Sequence, residues 1–276
     1  MTFIVVLVSL LVERFFDWSH SRQWGWYGAA ERIITKKFTA APPIMVLVGS
    51  IVPLVVGLAI LEQLLRHVLI GFPLMVLQLV VVLYCYGPRN LWADAYSSIT
   101  SLTTDHGELV ADKMRNAFNL TEDQQPESLR RLLLSQIFRT ANQRIFAVVF
   151  WFIILGAPGA LLYRLLSVSA ETAVAPAVVS TARTAVMYMD WLPVRLMTFF
   201  FALGGNFTRV LAIWRKKVMM GVDGNDAIAI ECGLAGITDN SEKLVDDGSL
   251  ERSAVSLLDR SFIMIVVLDM VFTVIF

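Results

Sequence analysis

Three runs without a charged residue stand out along the chain, at 44–61, 69–86 and 145–163. Each approaches the roughly 17–25 residues that a hydrocarbon core of about 30 Å demands of a helix. The first two are expected to span a membrane. A fourth apolar run opens the chain. Phe15, Phe16 and Trp18 carry its apolar face past Glu13 and Arg14, whose stems can reach toward headgroups, so a span is expected at 2–18. A cleaved signal peptide fits less well, because a basic leading region and a small-residue cleavage site are both missing. At the other end 261–276 is apolar apart from Asp269, and the preceding "SLERSAVSLLDR" has helical spacing with Ser249 as an N-cap. One unbroken helix is expected there, ending in a span at 261–276.

The third of these runs, 145–163, and a further apolar run, 191–213, are consecutive, so they either both cross or both dip. The first is interrupted by "GAPG" at 156–159, and broken helices at membrane depth persist where protein or a polar cavity covers the freed backbone. A dipping hairpin therefore rivals a span. The segments between the runs are polar and largely helical. In "ESLRRLLLSQIFRTANQR" (127–144), Leu129, Leu132, Leu133, Ile137 and Phe138 share one broad face behind Pro126. "NLWADAYSSITSLTTDHGELVADKMRNAF" (90–118) has similar periodicity, and the Gly-, Asp- and Asn-rich 221–248 is expected to hold one short helix between loops. Period-two alternation, GxGxxG, GxxxxGK[ST] and internal repeats are all missing. The expected fold is an all-α integral membrane protein: a single membrane domain over 1–276, a bundle of four spans plus the two paired segments, with helical cytoplasmic loops.

Composition agrees, with 57% apolar and 17% charged residues. Lys plus Arg and Asp plus Glu both number 23, so nothing points to nucleic acid. The basic residues are unevenly placed: four in 19–43, seven in 87–144 and six in 214–260, against Arg66 alone in the turn at 62–68. The positive-inside rule then makes 19–43, 87–144 and 214–260 cytoplasmic and places the N-terminus on the opposite side of the membrane. Two cysteines, Cys85 and Cys232, make neither a disulfide framework nor a metal site, and His20, His67 and His106 lack any ligand spacing. No metal is expected, and no cofactor can be named. "DGND" at 223–226 resembles the start of a calcium loop but lacks its later ligands, so a loop is expected.

Candidate chemistry begins with "MDWLPVRL" at 189–196. Asp190 is expected as an N-cap with Pro193 in the first turn of the following helix. Arg195 then lies one turn inside an apolar helix and needs a carboxylate, a phosphate or a headgroup, with Asp190, Glu13, Asp17, Glu171 and Asp269 as candidate carboxylates. Asp269 needs a partner or a proton, and an interhelical hydrogen bond is its plainest explanation. Glu13 and Asp17 share a helix face, a mildly unfavourable pairing unless a cation sits between them.

The blocks "LVERFFDW", "RIFAVVFWFIILGAPGALLYRLL" (144–166) and "MDWLPVRLMTFFFALGGNF" (189–207), in this order, resemble the AmpE family, inner-membrane proteins associated with β-lactamase induction. The last two blocks are also similar to "APLFW…LGGAPGALLYR" and "NWLPARLTALLLAL" of the CobD/CbiB cobalamin-biosynthesis proteins. That branch is understood to form an amide with ATP, using "GRDT", "ESxxEN" and "NTLDSM" elements. This chain has "MRNAFNLTED", "LSQIFRTANQR" and "LLSVSAETA" in their places.

The resemblance implies an inner-membrane regulatory or sensory protein linked to cell-wall turnover and β-lactamase induction, leaning away from an enzyme. A polar cavity at the cytoplasmic face would draw on Glu13, Arg14, Asp17, Arg144, Arg164, Asp190, Arg195 and Asp269. These residues suit a small anionic ligand, and no catalytic residue is assigned. The alternatives are an ATP-dependent amide-forming synthase of the cobalamin type and an accessory subunit packed on another membrane protein.

Overall fold

A computed structural model describes residues 2–16, 22–37, 41–66, 71–87, 90–96, 126–237 and 249–275, with side chains from 133 onward in the helix that begins at 126. Among the described residues every regular element is helical. In chain order they are α1 (Thr2–Phe15), α2 (Gly25–Lys37), α3 (Pro43–Leu65), α4 (Phe72–Cys85), a short helix at 91–96, α5 (Pro126–Ala141), a π-helical turn (Asn142–Phe146), α6 (Ala147–Thr172), α7 (Pro176–Gly204), α8 (Phe207–Lys217), α9 (Asn225–Ile237) and α10 (Ser249–Ile275). Asp17, His20, His67, His106 and most of the helix expected at 90–118 lie outside the described residues.

Among the described residues, three helical stretches are long and apolar enough to cross a membrane: Pro43–Leu65, Leu133–Thr172 and Pro176–Gly204. The expected span at 44–61 reappears in α3. Those at 2–18 and 69–86 appear as the 14-residue helices α1 and α4, about 21 Å long at ~1.5 Å per residue. The final 261–276 is the end of the unbroken α10, as its spacing implies. The run at 191–213 is divided between α7 and α8, with Asn206 capping α8 by accepting from Arg209 N at 3.3 Å.

The chain forms two compact units. The first comprises 1–88, 143–190 and 266–276; the second comprises 89–142 and 191–265.

In the first unit, α6 is two helical arms that meet at a reversal in its middle. Gly156 adopts φ 72°, ψ −165°, a conformation that favours glycine, and Pro158 follows it. A Cβ on Gly159 would meet the Trp151 carbonyl oxygen at 2.6 Å and Leu155 Cβ at 2.4 Å. In a straight helix, residues eight apart are separated by about 12 Å. The "GAPG" break is therefore the tip of a hairpin with arms 147–155 and 157–172, and the 40-residue stretch at 133–172 does not run straight. Gly159→Ala is expected to cost about 1–3 kcal/mol by overpacking the tip, read as thermal unfolding in detergent; unchanged stability would mean that the arms are not clamped there. The second arm runs antiparallel to the first half of α7. Tyr163 meets Asp190, and Arg183 Nε donates to the Ala170 carbonyl at 3.4 Å.

Asp190 is not an N-cap. α7 begins with Pro176 in its first turn and runs through Asp190 and Pro193, because "STARTAVMYM" continues as helix and places Asp190 well inside it. Pro193 has no N–H for the Met189 carbonyl. Trp151 Nε1 donates to that oxygen at 3.3 Å instead.

In the second unit, Phe138 of α5 packs against Phe201 of α7 and against Gly233 of α9. Asn90 caps the 91–96 helix through Trp92 N (3.0 Å) and Ala93 N (3.1 Å), and Trp92 Nε1 donates to Asp259 of α10 at 2.7 Å. The described part of 221–248, residues 221–237, holds a 3-10 turn at Val222–Gly224 and the helix α9. The later part, 238–248, lies outside the described residues.

Candidate functional site

A buried polar layer in the first unit is built around the end of α4. Ser9 of α1 bonds the Tyr86 hydroxyl at 2.8 Å, which aligns the two helix ends and places Glu13 beside Gly87. Glu13 and Arg22 form an ion pair with side chains 1% and 2% exposed. Arg22 Nη1 donates to Glu13 Oε1 at 3.0 Å and to the Gly87 carbonyl at 3.2 Å, and Nη2 donates to Glu13 Oε2. The cation that the acidic face of α1 calls for thus comes from the following segment. Gly87 also meets the stem of Arg144: a Cβ there would lie 2.4 Å from Arg144 Cγ and Cδ. This close approach requires glycine.

The α6 hairpin completes the layer. Its reversal returns Arg164 toward Arg144, so that Glu171, Cys85, Tyr163 and Arg144 all act on Arg164 electrostatically. Arg164 is 3% exposed, and its guanidinium carbon lies 6.0 Å from the centre of the Trp24 ring. The adjacent Tyr163 donates to Asp190 Oδ1 at 2.8 Å. Farther along the same arm Ser169 bonds the Tyr27 hydroxyl at 2.8 Å, and Ser50 of α3 stands 3.3 Å from that hydroxyl. One turn beyond Tyr27, Glu31 is buried and its carboxylate oxygens have no hydrogen-bond partner.

Burial pushes the Glu31 carboxyl above its ordinary range. A raised carboxyl pKa means that the folded state binds the proton more tightly than the unfolded state. The resulting stability is present at acid pH and is lost as pH rises through the folded value. Glu31→Gln is therefore expected to raise the unfolding temperature at neutral pH, with the gain disappearing on acidification. A gain that is constant with pH would refute this.

Of the anticipated residues, Glu13, Arg144, Arg164 and Asp190 are drawn into this layer, while Arg14 is half-buried on the last turn of α1. Asp17 lies outside the described residues. Asp269 is fully buried and its carboxylate makes no hydrogen bond among the described residues, but its stretch of α10 runs beside the start of α1, where Thr273 bonds Thr2 at 3.1 Å. Glu13 is most of a helix away at the other end of α1.

Arg195 belongs to the second unit, and its described partners include no carboxylate. Its guanidinium donates to the carbonyls of Val218 (3.0 Å), Trp191 (2.9 Å), Met220 (2.7 Å) and Gly221 (3.4 Å) and to Asn225 Oδ1 (2.5 Å), and stands 4.5 Å from the Trp191 ring. Arginine here meets its need with carbonyls beyond the end of α8, where the helix dipole also favours a cation.

Sequence reasoning missed Arg22, Trp24, Tyr27 and Glu31. Arg22 was counted only as one of the basic residues that orient the chain. Glu31 lies in "GAAERII", where nothing marks it for burial, and the helices that cover it come from distant segments.

No curated protein and no solved structure matches the chain. The family model described as "Regulatory signalling modulator protein AmpE" matches residues 1–276. With that match spanning every residue that builds the polar layer and both compact units, the chain belongs to the AmpE family of regulatory signalling modulators.

Proposed function

We propose that this protein is a multi-pass regulatory or sensory protein of the bacterial cytoplasmic membrane, acting in cell-wall turnover and β-lactamase induction. The family match over the full chain carries this reading. The buried charged layer supports it by offering a place where a small anionic ligand or a membrane-protein partner could change the balance of the fold. The kinship with the CobD/CbiB proteins is proposed on "LGAPGALLYR" and "DWLPVRL", the first of which is here the hairpin tip with Arg164 on its second arm.

The functional test is removal of the chain from an inducible strain, followed by return of the wild type. Altered β-lactamase output that the wild type restores supports the reading; identical basal and induced output in all strains overturns it. A strain lacking the cobalamin-pathway relative should not be rescued by this chain.

A periplasmic N-terminus puts 214–260 in the cytoplasm, but Cys232 cannot report this. It is fully buried and desolvation raises its thiol pKa to about 12, so it holds almost no thiolate at neutral pH. Met219, 86% exposed, can. A Met219→Cys variant is expected to resist an impermeant thiol reagent in intact cells and to label after permeabilisation, while Cys232 stays unlabelled in both. Labelling of Met219→Cys in intact cells would reverse the orientation.

A further inference from the structure

A guanidinium withdrawn from water is costly unless its N–H groups find acceptors. Among the described residues Arg164 Nε has none, although the residue is 97% buried. Trp24 is 8% exposed, and its Nε1–H has no acceptor either. The two groups are neighbours, with the Arg164 guanidinium carbon 6.0 Å from the Trp24 ring centre. The indole face offsets part of the charge but accepts no hydrogen bond in the plane of the guanidinium. Arg144 adds a second positive charge, and Glu171, whose carboxylate acts on Arg164 electrostatically, is itself exposed. Native proteins leave few polar groups in this state, and each such group calls for a bound water, ion or ligand.

Two buried donors without acceptors, beside a second arginine, suit an anionic oxygen group such as a phosphate. Arginine and indole N–H groups donate and cannot accept, which excludes an amine or other cation from the same position. We propose that Arg164 and Trp24, with Arg144 supplying further charge, bind a phosphate group in the first unit. The phosphate could belong to a soluble ligand or to a lipid headgroup. The site gives the ligand of the regulatory reading its chemistry and rests on that reading only for its role in signalling.

The test uses the purified full-length protein and two arms. In one, inorganic phosphate is titrated into protein held in phosphatidylcholine nanodiscs. In the other, phosphatidylglycerol replaces part of the phosphatidylcholine with no phosphate added. Saturable thermal stabilisation is expected in at least one arm, and which arm responds identifies the source. Arg164→Gln should weaken the apparent affinity about ten- to hundredfold, and Trp24→Phe, which keeps an aromatic ring but removes the N–H, should weaken it less. Should Arg164→Gln fail to fold, Trp24→Phe and Arg164→Lys decide the matter, since each is expected to bind more weakly than wild type. No saturable shift in either arm, an equal shift with chloride, or equal affinity in wild type and variants overturns the site. Phosphate binding without any effect of the chain on induction would overturn the regulatory reading alone; an effect on induction without binding would overturn the site alone.

Discussion

Arg22→Leu is expected to destabilise the protein by about 3–5 kcal/mol, because it strands the Glu13 carboxylate where water cannot reach it. Both side chains are at most 2% exposed, and Arg22 also holds the Gly87 carbonyl at 3.2 Å. Glu13→Leu should cost a similar amount by stranding the guanidinium. The double replacement removes both desolvation costs with the attraction, so it should be much less destabilising than the sum of the single changes. Arg22→Lys is expected to fall between, since it keeps the charge and loses the planar fork that meets both carboxylate oxygens. Thermal or denaturant unfolding of the four proteins in one detergent measures the coupling. Strict additivity would mean that the pair does not hold α1 to the following segment.

Arg195→Leu is expected to cost about 3 kcal/mol, by a different route. The change leaves the carbonyls of Val218 and Met220 and the Asn225 side chain without their shared donor, at roughly 1–3 kcal/mol for each group that water cannot reach. Arg195→Lys should recover only part of the loss, because three donors on a compact ammonium cannot reproduce the spread of a guanidinium stacked near Trp191. The loss belongs to the second unit, where the turn after α8 loses its anchor. Hydrogen exchange across 218–225 should therefore rise in the leucine variant. Unchanged stability and exchange would mean that water replaces the guanidinium at no cost.

Much of the helical content was legible because helix formation and burial leave periodic marks. The charge-free 44–61 became α3, the unbroken pattern of 249–276 became α10, and Leu133, Ile137 and Phe138 are the buried face of α5 that their spacing announced. "GAPG" announced a break, since glycine and proline disturb a helix wherever they fall. The start of α7 was less legible. "DWLP" carries the marks of a helix start, yet Tyr163 takes up the Asp190 carboxylate and Trp151 takes up the carbonyl that Pro193 releases. Once these local needs are met from another helix, the helix has no reason to begin there.

By itself the sequence determined an all-helical, apolar chain with a break at 156–159, and it marked Arg195 and Asp269 as charges in need of company and the Glu13–Asp17 face as one that calls for a cation. Propensity, periodicity and hydropathy act over a few residues, so a sequence records them directly. Only the tertiary structure decided the company: that the break reverses the chain and returns Arg164 toward Arg144, that Glu13 meets Arg22, and that Arg195 is held by carbonyls. A buried charge takes whichever partner the packing of distant segments brings within about 3 Å. That choice depends on long-range geometry, which no local pattern of residues encodes.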